Sequence, residues 1–197
     1  MNKSVLITGV AGSGKSSLCH ELKKLGCKAY DLEEVKGLYA LIDRKTGKRA
    51  KKYDNDKLDL VKQHDWICDK KKLQTLIREN SGIFFYAGAA ANIDELLPLF
   101  DQIFLLKVSQ KTLRKRLSMR KRPDFGRTSA VQKWMFGWMK QWEDNLQRKG
   151  AIIISVKGSI RETATSIKDM IDMSKAFKEA PRILKYTCHK TQSSSKI

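Results

Sequence analysis

The sequence predicts an α/β protein with three layers, α/β/α, built on a five-stranded and mostly parallel sheet. Three observations predict it. Five short apolar runs are spread along the 197-residue chain, each short enough for a strand and bounded by turn signals. The runs are nearly continuous in their apolar character, the mark of strands covered on both faces. Segments with apolar residues at helical spacing alternate with them, the order of a parallel sheet with crossover helices. The chain shows no internal repeat.

The first strand is Val5–Thr8, an apolar run that ends in a glycine turn. Lys15–Lys24 reads as a helix with Leu18 and Leu22 on one face and Gly26 as its stop. Cys27–Tyr30 is the second strand, ending at Asp31. Residues 32–42 are expected to be helical through Val35, Leu38 and Leu41. The polar, turn-rich stretch from about 44 to 63, with Thr46-Gly47 at a turn, reads as a small exposed insertion or hairpin. Asp69 is placed to cap a helix over Lys70–Arg78, and Ile83–Gly88 is the third strand. Asn92 is expected to cap a short helix carrying Asp94 and Glu95 in its first turn. Ile103–Val108 is the fourth strand, and Ser109 caps the basic helix with Leu113 and Leu117. After a polar break at 122–128, Val131, Trp134, Met135, Trp138, Met139, Trp142 and Leu146 define a long amphipathic helix stopped at Gly150. Ala151–Val156 is the fifth strand. Ser159-Ile-Arg-Glu162 is a capping box opening a last helix through Ile167 and Ile171. Residues 1–177 thus form one domain, and 178–197 a basic tail expected to be flexible.

The turn between the first strand and first helix carries the chemistry. Gly9, Gly14, Lys15 and Ser16 match G-x-x-x-x-G-K-[ST], in the strand-to-helix setting that a phosphate-binding loop requires. Phosphate oxygens need a tight curve of main-chain N–H groups, and Gly9, Gly12 and Gly14 let the chain make it. The loop delivers the anion to a helix N-terminus, where unpaired N–H groups and the dipole favour negative charge. Gly9, Gly12, Ser13, Gly14, Lys15, Ser16 and Ser17 are the nucleotide-binding candidates. Lys15 serves the β- and γ-phosphates and Ser16 a magnesium ion, while Ser17 is a candidate for the α-phosphate. No NKxD-like guanine motif accompanies the loop, and the third strand ends without the acidic residue of motor-type ATPases. The acids lie instead at the end of strand two, in Tyr30-Asp-Leu-Glu-Glu34.

That arrangement resembles the small P-loop kinases, a group that includes shikimate, gluconate, adenylate and nucleoside kinases, over about residues 3–175. The resemblance implies ATP and Mg²⁺ as cofactors and phosphoryl transfer to a small acceptor, with nucleosides and nucleotides leading the candidates. In shikimate kinases a D-x-D at this point helps to hold the metal and the acceptor hydroxyl; the matching residues here are Asp31 and Glu33. Ser16 and Asp31 are the implied metal ligands. Gly88 and Asn92, in the turn after strand three, are the implied acceptor-site residues. Arg116-Leu-Ser-Met-Arg120 is similar to the R-L-x-x-R at which adenylate-kinase-type lids begin. By that match Arg116 lies against the adenine and Arg120 on the phosphates. Residues 120–130 then resemble a lid loop, with Arg122 and Arg127 flanking Asp124, Phe125 and Gly126. Lys15, Asp31, Glu33 and Arg120 are the implied catalytic set.

Composition limits the partners. No apolar run approaches the roughly 18 residues of a membrane span, and the amino end carries no leader pattern, so a cytoplasmic protein without a membrane partner is expected. Four cysteines, Cys19, Cys27, Cys68 and Cys188, show no metal-ligand spacing and are expected to be free thiols. The net charge of +19 is concentrated at 44–52, 107–127 and after Lys175. Such a surface attracts phosphates, which leaves nucleic acid as an alternative partner: an RNA-associated ATP-binding protein, or a polynucleotide kinase joining the two readings. Nothing in the chain specifies an oligomeric state. Trp134, Trp138 and Trp142 follow helical spacing and are expected in the core. His64-Asp65-Trp66 is expected to be a structural turn, and neither Cys188-His189 nor the terminal Ser-Lys-Ile carries a function here.

Overall fold

The computed structural model describes residues 2–121 and 124–179. Arg122, Cys188, His189 and the tail beyond Glu179 lie outside them. Five parallel strands form the main sheet: β1 (Lys3–Thr8), β2 (Lys28–Asp31), β5 (Ile83–Ala87), β6 (Gln102–Lys107) and β7 (Ile152–Ser155). Their spatial order is β2-β5-β1-β6-β7, with every neighbouring pair parallel. A second, two-stranded sheet pairs β3 (Tyr39–Asp43) with β4 (His64–Cys68) in antiparallel register.

The helices cover both faces, and β1 shows why. All six of its residues are buried, so alternate side chains must each meet a helical layer. Val5 and Ile7 pack with Leu18 and Leu22 of α1 (Lys15–Lys24) and with Ala164 and Ile167 of α7 (Ile160–Glu179). Leu6 points the other way, to Leu73 of α3 (Lys70–Glu79), Ile93 and Leu96 of α4 (Ile93–Leu96) and Leu146 of α6 (Ser129–Arg148). A third cluster lies under the turn after β1. There Val10 meets Leu113 and Leu117 of α5 (Gln110–Ser118) and Met135 and Met139 of α6. The helix caps form as expected at Asp69, which accepts from Lys72 N, and at Ser109, which accepts from Thr112 N. The Ser159–Glu162 box closes reciprocally at 2.9 and 3.2 Å.

Four local expectations are corrected. Residues 32–42 do not form a helix. A single 3-10 turn at Leu32–Glu34 is followed by Gly37 at φ 71°, which helices do not adopt, and then by β3. His64-Asp65-Trp66 is not a turn but most of β4, whose partner lies 21–29 residues upstream. Asn92 does not cap α4 with its side chain; its amide spans β4, accepting from Cys68 N at 3.1 Å and donating to Cys68 O at 3.0 Å. Of the three tryptophans expected in the core, Trp138 and Trp142 are half-buried and pack against it, whereas Trp134 is half-buried and stands edge-on to Trp138. Between β3 and β4 lie a turn at Gly47, bridged by Ile42 and Arg49, and α2 (Leu58–Gln63).

Candidate active site

Register brings the candidate residues to one edge of the sheet. Ile7 pairs with Ala87, and Ala87 with Asp31, so the strand ends preceding the phosphate loop, Gly88 and the first acid are level. At about 4.8 Å per strand, Asp31 stands two strands from β1. This is the carboxyl edge, where ligands of open α/β sheets bind.

The loop is closed by contacts that a larger residue would break. A Cβ on Gly9 would lie 2.6 Å from Ser13 Oγ and 3.0 Å from the Leu106 carbonyl. Gly14 occupies the N-cap of α1 at φ 102°, a left-handed position that glycine takes without steric cost. The Lys15 ammonium donates to the Gly9 carbonyl at 3.0 Å and stands 4.0 Å from Glu33. Burial is the main cause that pushes Lys15 below the ordinary lysine value, opposed by Glu33 and reinforced by Arg120. A nearly buried ammonium with Glu33 at 4.0 Å as its one ion pair, and Asp31 felt more weakly, is a cation short of an anion. Ser16 and Ser17 are exposed on the first turn of α1.

Across from the loop, Asp31 is buried and caps the following turn by accepting from Glu33 N at 3.1 Å. The Glu33 side chain is 44% exposed. Beside them Tyr39 approaches Gly88 so closely that a Cβ there would lie 2.7 Å from its hydroxyl. Burial raises the Tyr39 phenol far above the usual tyrosine range, with Cys68, Glu33 and Asp31 adding to the shift. The phenol therefore stays protonated. Cys19, Cys27 and Cys68 are free thiols, and burial pushes Cys19 and Cys68 up to about 11, which keeps both unreactive.

The basic helix meets the loop from its outer side. Arg116 donates to the carbonyls of Gly12 and Ser13 at 3.1 and 3.4 Å, so its guanidinium holds the loop itself. Arg120 donates to the Phe125 carbonyl at 2.8 Å while its charge is felt at Lys15. Arg127 reaches Asp56 between β3 and β4 through both Nε, at 3.1 Å, and Nη2. That bidentate pair joins the loop after α5 to the region of the second sheet.

The structure thus gathers Gly9, Gly12, Ser13, Gly14, Lys15, Ser16, Asp31, Glu33, Arg116 and Arg120 at one edge. Sequence reasoning missed three participants. Tyr39 fell inside an expected helix, Asp56 gave no sign of pairing with a residue 71 positions away, and Leu117 lies beneath both loops. The alternation of Tyr39, Leu41 and Asp43 was the one available signal for β3.

The loop fits a triphosphate: it has a glycine cradle, an under-compensated buried ammonium and an open helix N-terminus. Among the described residues no group of three or more His, Cys, Asp or Glu could hold a metal ion by itself. Magnesium takes one or two protein oxygens and completes its shell with phosphates and water. Ser16, exposed on the first turn of α1, and Asp31, buried at the end of β2, are oxygen-bearing side chains at this edge. No helix among the described residues is long and apolar enough to cross a membrane.

Comparisons with known proteins agree on the fold. No curated protein matches the sequence. Among solved structures, a shikimate kinase from Acinetobacter baumannii in complex with shikimate superposes with a TM-score of 0.56 at 18% identity, covering 89% of this chain and 96% of that one. A deoxyadenosine kinase from M. mycoides, with the products dCMP and a flexible dCDP bound, gives 0.51 at 16% identity, over 87% and 99%. A gluconokinase from Sinorhizobium meliloti gives 0.51 at 14%, over 90% and 97%. The AAA domain family matches residues 5–134, about two thirds of the chain. On that match the chain belongs to the AAA domain family, and its fold is that of the small P-loop kinases.

Proposed function

We propose that the protein is an ATP- and Mg²⁺-dependent phosphotransferase acting on a small hydroxyl- or phosphate-bearing acceptor, with a nucleoside or nucleotide as the leading candidate. One observation carries the reading: the Lys15 ammonium, closed within the glycine loop, stands 4.0 Å from the Glu33 carboxylate and feels the charge of Asp31. A phosphate-binding cation and a base for an acceptor hydroxyl thus share one edge. The main-chain N–H groups from Gly9 to Ser16 and the Ser17 hydroxyl hold the phosphates. Lys15 meets the charge that builds on the oxygen between the β- and γ-phosphorus atoms. Ser16 and Asp31 would hold magnesium, which when bound would neutralise phosphate charge. Glu33 or Asp31 accepts the hydroxyl proton as the new P–O bond forms and the nucleoside diphosphate leaves with the electron pair of the broken bond. Arg116 holds the curve of the loop, and Arg120 adds positive charge where water must be excluded. Such chemistry suits a cytoplasmic location, where ATP is abundant.

The direct test offers labelled ATP and Mg²⁺ with a panel of nucleosides, nucleotides, sugar acids and RNA ends. Transfer to a member of the panel that disappears in Asp31→Asn supports the assignment. Hydrolysis alone across the whole panel refutes it.

Lys15 also predicts a pH dependence. A triphosphate favours the ammonium form, and the unliganded pKa is lowered by burial. Nucleotide affinity is therefore expected to fall as pH rises through a value below the usual lysine range, with proton uptake on binding in that window. The fold responds in the opposite sense. Between the lowered folded pKa and the ordinary unfolded one the unfolded chain holds more protons, so this residue makes stability rise with pH. Calorimetry of nucleotide binding in two buffers of different ionisation enthalpy reads the proton uptake, which Lys15→Met should abolish.

A further inference from the structure

The β3–β4 ribbon and its connection carry a surface the kinase chemistry does not use. Six of the nine residues from 44 to 52 are Lys or Arg, and all six are exposed. Arg44 is paired with Asp65 at 2.6 Å. Lys45, Lys48, Arg49, Lys51 and Lys52 have no ion pair among the described residues. The Asp43 carboxylate in the same turn accepts from Thr46 N and Oγ1 through Oδ1, at 2.7 and 2.9 Å, and its Oδ2 lies 3.8 Å from His64 Nε2, so it pairs with none of the five. A concentration of unpaired cations on a short connection costs self-repulsion, which a polyanion relieves.

Beside this basic connection the ribbon presents a ring. Trp66 is 41% exposed, although it is the largest side chain of β4. One face of its indole is stacked on Tyr39, with centroids 5.2 Å apart and planes 11° from parallel. Tyr39 in turn abuts Gly88 at the site edge. The backbone behind the indole is fixed, since Ala91 N donates to Trp66 O at 2.8 Å and Asn92 clips the next residue but one. The indole is therefore held in place with part of its surface in water.

We propose that this ribbon is a docking surface for single-stranded nucleic acid, with the basic connection tracking the backbone and Trp66 stacking a base next to the Asp31–Glu33 edge. Five unpaired cations complement phosphates, and a pre-fixed aromatic ring complements the π-face that every base has. An acidic peptide or an anionic membrane would use the cations but leaves the anchored indole without a role. The proposal rests on the kinase reading only in calling that edge the acceptor side. Strand binding itself needs no catalysis.

The test is fluorescence anisotropy of the full chain, without nucleotide, on a 12-nucleotide single-stranded RNA labelled at its 3′ end and carrying a 5′ hydroxyl. For the wild type, log affinity should fall linearly with log salt. The triple reversal Lys48→Glu/Lys51→Glu/Lys52→Glu should weaken binding at least tenfold and flatten the salt slope by about 2, at roughly 0.7 per phosphate on single strands. Trp66→Ala should lose about tenfold, within the range for one base–aromatic stack, with much of it restored in Trp66→Phe. Far-UV circular dichroism and melting temperature identify any variant that has lost its fold, and Trp66→Phe keeps the ring test open if Trp66→Ala has. Equal affinity in wild type and both variants overturns the proposal, as does competition by poly-glutamate or anionic vesicles as effective as by poly(U). If the strand binds as stated while the acceptor panel shows hydrolysis only, the docking surface stands and the kinase reading falls; the reverse result sinks the surface alone.

Discussion

Replacing Lys15 with alanine is expected to lower phosphoryl transfer by about a hundredfold or more, the scale for losing one preorganised charge stabiliser. The geometry explains why no neighbour can substitute. The ammonium is anchored by the Gly9 carbonyl at 3.0 Å inside the curve of the loop. Arg116 is engaged by the outer carbonyls of Gly12 and Ser13, and Arg120 by that of Phe125. Removing Lys15 also leaves Glu33 facing the phosphate site without its nearest cation, which adds repulsion to the lost attraction. Lys15→Arg should rescue only weakly, because a planar fork with five donors does not reproduce the compact point charge held at the Gly9 carbonyl. Steady-state transfer to whichever acceptor the panel identifies provides the readout. Wild-type turnover in Lys15→Ala would remove this residue from the chemistry and, with it, the argument for the whole edge.

Much of this site was legible in the sequence because its parts are local. The loop is eight residues long, it ends in a helix, and its spacing has one physical use. Asp31 and Glu33 follow a strand whose end is marked by the change from apolar to acidic residues. The acceptor side was less legible, and residues 32–42 show the reason. Val35, Leu38 and Leu41 fall at intervals of three, which fits a helix face as well as it fits one turn followed by a strand. What decides between the two is β4, paired with β3 across 21 to 29 residues of sequence, and no window of a few residues contains that information. Asn92 shows a second limit. An asparagine before a short helix is a good cap by type, but here its amide finds two main-chain partners on a strand edge. Those bonds join two elements that sequence order separates. Arg127 was visible as a basic lid residue, yet its partner Asp56 lies in a different part of the chain. Long-range pairing, more than unusual chemistry, separates the legible part of the site from the rest.

Leu117→Ala is expected to destabilise the protein by about 2–5 kcal/mol, the usual range for emptying a leucine site in a core, and also to weaken nucleotide binding. The side chain is fully buried on α5. It supports two loops at once: a Cβ on Gly12 would lie 3.2 Å from its Cδ2, and one on Gly126 only 3.0 Å away. The phosphate loop and the loop after α5 are thus seated on the same isobutyl group. Both glycines also stand at left-handed φ, 83° and 87°, so backbone conformation and the space the leucine fills both favour glycine there. Removing it leaves a cavity under the curve of the phosphate loop, and the loop loses the surface that fixes its path. For a chain of this size the melting temperature should fall by roughly 2–4 °C per kcal/mol. Leu73→Ala is the matched comparison, since Leu73 is equally buried but belongs to α3 and to a different cluster, away from the phosphate loop. It should show a similar melting shift with nucleotide affinity retained well below the transition. Equal loss of affinity in the two variants would mean that general loosening, and not the seat beneath Gly12 and Gly126, governs the loop. Retained affinity in Leu117→Ala would show that Arg116 and the main-chain bonds hold the curve without it.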